Sequence, residues 1–139
     1  METEPALIEQ YVKTGKARLV YRHLIQLGAG SLALGEASEC AGAQGRFWEM
    51  RDLIYRRQDE LYGATTAAAL RPLVDEVGLD AEQFQSCFEQ HQFRKQVEDD
   101  AAASESAGVR SRPVIDIAGT RIIGARPLAE YQRLLDRAR

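Results

Sequence analysis

The chemistry open to these 139 residues rests on two cysteines, two histidines, an acidic run and one proline loop. Cys40 and Cys87 are the only thiols and stand 47 positions apart, so no Cys-x-x-Cys can form and metal-ligand spacing is absent. Each sulfur fits a small buried side chain on a helix face, a structural bond or, as the sharper alternative, half of a redox couple. Nothing in the sequence sets either one at a helix N-terminus or beside a dependable cation, the settings that make a reactive thiolate. His23 and His91 have no serine or carboxylate arranged with them in a recognisable pattern and read as structural or solvated rather than catalytic. Glu98-Asp99-Asp100 lacks the glycine turn of a hard-cation loop and reads as a solvated helical face. Trp48 beside Phe47 reads as core or interface. No catalytic residue, metal ligand or cofactor is assigned.

The most organised stretch is Gly108 to Gly124. An apolar alternation enters through Arg112-Pro113, turns at Ala118-Gly119 and is answered by Thr120-Arg121-Ile122-Ile123, the pattern of a β-hairpin. Pro113 has no N–H to give a ladder and therefore belongs at the first position of a strand. An X-Pro bond is cis in only about 5% of cases in folded proteins, so the residues alone favour trans.

The elements that must hold these residues read as follows. Thr3 caps a first helix with Pro5 in its first turn and Leu7, Ile8, Tyr11 and Val12 on one face, stopped at Gly15. Arg18 to Ile25 is rich in Leu, Val, Tyr and Ile and is expected to form a strand. Leu27 to Gly30 is a loop. Ala33, Ala37, Cys40 and Ala41 recur at helical spacing from Ser31 to Gln44, with Gly45 as a stop. Phe47, Met50 and Ile54 make a stripe on a helix reaching about Gln58. Pro72 would cost about 3 kcal/mol in a helix interior, so the helix carrying Leu73, Val74 and Val77 is expected to start near Leu70. Asp80 with Gln83 is an N-cap pattern for a helix bearing Phe84, Cys87 and Phe88. Phe93, Val97 and Ala101 follow on a polar helix ended by Gly108. Pro127 opens the last helix, with Leu128, Tyr131 and Leu135 inward and Arg133, Arg137 and Arg139 towards the C-terminal end of its dipole.

Length and composition, 45% apolar and 28% charged, suit one compact domain. A net charge of −3 with interleaved signs gives no footprint for nucleic acid or an anionic membrane. No apolar run approaches the ~20 residues that span a bilayer, and no basic-then-apolar leader is seen, so the chain is expected either to be cut from a longer one or, as written, to be cytoplasmic.

Taken together, these segments resemble the DsbA-like thioredoxin-fold family. Gly108-Val109, Pro113, Gly119 and Gly124-Ala125 fit its helix end, cis-proline loop and closing hairpin. Tyr11 to Arg22 is similar to its helix end and following strand, and Ala37 to Ala41 with Gln44 to Glu49 to its first inserted helix. Gly78-Leu79-Asp80 to Phe84 and Cys87 resembles a later one. The resemblance implies an α/β, helix-rich thioredoxin-like domain over residues 1–139, with a helical insertion at about 31–107. Some exported members pair cysteines at the positions of Cys40 and Cys87, which implies a structural disulfide. The family places a strand and a Cys-x-x-Cys ahead of the helix ending near Gly15, and this chain has neither.

Three readings follow. The first is a non-catalytic binding or assembly module that uses Ser111, Arg112 and Pro113 as a peptide-binding loop. Its partner would be an extended peptide or another protein. Arg112 stands where the family has a small or β-branched residue and Ser111 where it has glycine. The second is a thiol-disulfide oxidoreductase using Cys40 and Cys87, or a motif supplied from an upstream segment. The third is a relative of the kappa-type glutathione transferases. Without the first strand, the two strands that would flank it are expected to close into a three-stranded sheet or to be completed by another chain, giving an oligomer. The family is usually extracytoplasmic.

Overall fold

The computed structural model describes residues 2–26 and 28–138; the readings made above for Leu27 and Arg139 fall outside them. The chain forms two compact units, residues 1–21 with 107–139 and residues 22–106.

In the first unit, α1 (Thr3–Leu7) runs on as a π-helical turn, Ile8–Val12. Glu2 rather than Thr3 occupies the N-cap position, without a side-chain bond. Tyr11 is buried, and its hydroxyl donates to Asp136 Oδ1 at 2.9 Å on α7 (Leu128–Arg137). Strand β1 (Val114–Ile117) pairs antiparallel with β2 (Thr120–Ile123) in the register Val114 to Ile123. The two-residue turn uses Ala118 (φ 47°) and Gly119 (φ 84°), the left-handed pair that matches the twist of a tight hairpin. Among the described residues of this unit, Ile122 and Tyr131 are also buried. Tyr131 also accepts the Arg126 N–H at 3.1 Å, fixing the entry to α7 just before Pro127.

The expected strand Arg18–Ile25 does not form: residues 17–26 carry no regular structure, and the sheet has two strands, not three. Strand propensity measures fit to a paired, half-buried surface, and this segment has no ladder partner to supply one. Leu19 and Val20 are accordingly exposed.

The second unit is helical: α2 (Ala29–Gly42), α3 (Phe47–Arg56), α4 (Ala67–Val77), α5 (Ala81–Glu89) and α6 (Arg94–Ser106). Its core joins Ala37, Cys40, Met50, Leu53, Leu70, Val74, Phe84 and Phe88. Phe84 and Phe88 stack with ring centroids 5.8 Å apart. Asp80 caps α5 as the sequence suggests, accepting the Gln83 N–H at 2.9 Å. Gln44 then holds that cap, accepting from Asp80 N at 2.8 Å and donating to its carbonyl at 3.2 Å.

Helix α4 begins at Ala67, three residues before the expected start, and contains Pro72. Thr66 supplies the reason, accepting the Ala69 N–H at 3.2 Å as N-cap. Pro72 is exposed, while Leu70, Leu73 and Val74 are buried on the other face. The carbonyl that loses its partner can therefore face water, and burial of the apolar face outweighs the proline's cost.

Small residues on α2 allow α6 to approach closely. A Cβ added at Gly35 would lie 2.9 Å from Val97 Cγ1 and 3.3 Å from His23 Nδ1. Helix propensity alone would make Gly35→Ala stabilising by about 1 kcal/mol. Val97 is fully buried and stiff, so overpacking at about 1–3 kcal/mol outweighs that gain. Urea denaturation of Gly35→Ala should therefore show a net loss centred on about 1 kcal/mol; a raised midpoint would refute the close packing of α2 on α6.

Candidate functional site

Cys40 lies near the end of α2 and Cys87 within α5, and they form a disulfide with Cα atoms 5.9 Å apart. They are 1% and 5% exposed, and among the described residues no free cysteine remains. Neither sulfur sits at a helix start, where exposed N–H groups would favour a thiolate. The bond staples two helices through the middle of the core, and its loop encloses α3 and α4.

The proline loop belongs to the first unit. Ser111, Arg112 and Pro113 are all exposed, and the Arg112–Pro113 peptide is cis. Gly124 N donates to the Pro113 carbonyl at 2.9 Å, closing the open end of the hairpin. Asp116 and Arg121 face each other across the ladder in a bidentate pair, Nε to Oδ1 at 2.8 Å and Nη2 to Oδ2 at 2.9 Å. This holds the Asp116 carboxyl below its ordinary range, chiefly through the hydrogen bond from Arg121. The loop thus leads straight into a pinned strand.

Both histidines have carboxylate partners that no recognisable sequence pattern indicates. His23 is buried, with Nε2 2.7 Å from Glu39 Oε1, and its backbone N–H donates to Asp100 at 3.4 Å. His91 Nδ1 lies 3.0 Å from Oε1 of the buried Glu36, whose other oxygen accepts from Arg94 Nη2 at 3.4 Å. The overlooked signal is Glu36 and Glu39, one turn apart on a helix otherwise lined with small apolar residues; Glu36 shares the face of Ala33, Ala37 and Cys40. These pairs join distant parts of the helical unit, and no nucleophile accompanies them. Of the acidic run, Asp99 pairs with Lys95 at 2.6 Å and Asp100 with Arg22 at 3.6 Å. Among the described residues no group of three possible ligands gathers for a metal.

A tight hairpin followed by a helix, with a helical segment inserted in the chain between the first helix and the hairpin, is a thioredoxin-type architecture. The profile of the thioredoxin family (Thioredoxin_4) matches residues 1–137, and the chain belongs to that family. A crystal structure of a thioredoxin-like oxidoreductase from Silicibacter pomeroyi shares the fold, with a TM-score of 0.72 at 24% identity. The match covers 99% of this chain and 76% of that one. Among curated sequences, similar segments occur in Na(+)/H(+) antiporter NhaA 3 of Salinispora tropica, 31% identical over 122 residues, and in an NhaA of Herminiimonas arsenicoxydans, 30% over 122. These matches take in 86% and 88% of this chain but 18% and 19% of those proteins, so the chain spans less than a fifth of their length. Among the described residues no helix is long and apolar enough to cross a membrane.

Proposed function

We propose that this thioredoxin-family segment is a binding module whose own sulfur chemistry is structural. The observation that carries the reading is the buried Cys40–Cys87 bond: both thiols of the sequence are spent inside the core of the helical unit, whereas the proline loop belongs to the other unit. What remains for function is the loop of Ser111, Arg112 and Pro113 and the strand it feeds. The alternating ladder bonds turn the N–H and C=O groups of Val114 and Asp116 away from β2, so that edge can take an extended segment from another protein or a second copy. Arg112 at its entrance favours a segment carrying a carboxylate there.

Disulfides persist in oxidising surroundings, so the module belongs outside the reducing cytoplasm. Ion transport in the antiporters stays, on this reading, with the four-fifths of those proteins that this chain does not match. Disulfide exchange of the kind implied by the name of the structural neighbour would need a dithiol from outside these residues.

The test uses insulin. The chain should not accelerate insulin reduction above the dithiothreitol background. Reduced and alkylated insulin B chain, used as an extended probe, should shift the amide resonances of Ser111, Arg112, Val114 and Asp116. Turnover abolished by Cys40→Ser would replace the binding reading with an enzymatic one. Absence of shifts at the loop would remove its peptide role, and sedimentation of the chain alone reports whether a second copy fills the edge.

A further inference from the structure

On the opposite side of the hairpin, β2 and α7 enclose a cleft of about 200 Å³, with Arg126, Glu130, Arg133 and Arg137 along one wall. Among the described residues the guanidinium groups of Arg126, Arg133 and Arg137 make no ion pair or hydrogen bond. Arg121, also in the lining, is different: its guanidinium is taken up by Asp116 and the Ala107 carbonyl. Arg133 and Arg137 are like charges at i,i+4 spacing and repel each other in the free protein. The helix dipole explains Arg137 in the last turn but not Arg126, which precedes the helix. Three uncommitted cations facing a single carboxylate make this cleft positive on a chain whose net charge is −3.

The other wall is a strand edge. The bond from Gly124 N to the Pro113 carbonyl and the two-residue turn fix which pairs exchange ladder bonds. Arg121 and Ile123 fall at the alternate positions, so their N–H and C=O groups point away from β1. Ile123 is 58% exposed while its neighbour Ile122 is buried.

We infer that this cleft takes an acidic extended peptide segment of a partner protein, added as a third strand along β2 with its carboxylates against Arg126, Arg133 and Arg137. A free phosphate or carboxylate would use the cations but leave the strand edge and Ile123 bare. A strand presents alternate side chains to opposite faces, so acidic residues at every second position can meet the arginines while apolar ones between them cover Ile123. Guanidinium forks match carboxylates in just this planar way. The site is independent of the Ser111–Pro113 loop.

The probe is a blocked hexapeptide alternating valine and glutamate, titrated into the 15N-labelled chain. A lysine-for-glutamate counterpart and inorganic phosphate are the comparison arms. The amides of Arg121 and Ile123 should shift most. The Kd should rise about tenfold or more in the Arg133→Gln/Arg137→Gln double variant, and likewise on raising the salt concentration. Arg126→Gln lies outside α7 and carries the same test should the double variant unfold, with an expected rise of roughly threefold. Equal binding of the lysine peptide, equal binding of phosphate, or no shift at all would overturn the inference. Shifts centred on Val114 and Asp116 would also overturn it while leaving the loop reading intact.

Discussion

Reducing the Cys40–Cys87 bond is expected to lower unfolding stability by about 4 kcal/mol, the loop-closure value for a 47-residue separation on the chain-entropy account. For a chain of this size that is a fall in Tm of roughly 15 °C. The bond acts mainly on the unfolded ensemble, which without it can separate α2 from α5 and expand. The reduced protein should therefore show a larger denaturant slope as well as a lower midpoint. Both thiols released by reduction lie in an apolar core, so the folded state itself changes little. Paired urea titrations with and without dithiothreitol, repeated on Cys40→Ala/Cys87→Ala, measure the effect. A difference under about 1 kcal/mol would mean that the five helices hold without the staple, and it would remove the argument for an oxidising compartment.

How far the sequence disclosed this arrangement depends on whether the deciding interaction was local. The hairpin was legible because Ala118-Gly119 and Pro113 constrain their own backbone, and the Asp80 cap because its partner Gln83 is three residues away. Local rules misled at Pro72, where Thr66 and the burial of Leu70 and Leu73 decide where α4 begins. They failed again at Arg18 to Ile25, since a strand is defined by a neighbour that no run of strand-favouring residues can provide by itself. The cysteine pairing was available only through family resemblance: two sulfurs 47 residues apart say nothing of whether their helices touch. The cationic cleft was invisible for a related reason. Arg133 and Arg137 read as dipole partners on α7, and only the fold lays Arg126 and the edge of β2 beside them.

Glu36 presents the sharpest conflict between local and tertiary demands, and its replacement by alanine is expected to cost about 3 kcal/mol. A carboxylate 1% exposed would ordinarily be intolerable on the small-residue face of α2. It is retained because Arg94 and His91, at the junction of α5 and α6, both reach it. Truncation leaves a void of nearly a whole side chain in a close-packed region, and it leaves Arg94, whose buried Nε has no partner, without its counter-charge. The cost stays below the 5 kcal/mol upper range for broken buried pairs because the Arg94 and His91 side chains are 43% and 45% exposed and can turn to water. Glu36→Gln keeps the volume and loses only charge, so it should cost about half as much. The cycle of Glu36→Ala with Arg94→Ala separates the two contributions. A coupling energy of about 1–2 kcal/mol is expected if the pair ties α2 to α6, whereas additivity within about 0.3 kcal/mol would reduce Glu36 to a space-filling residue.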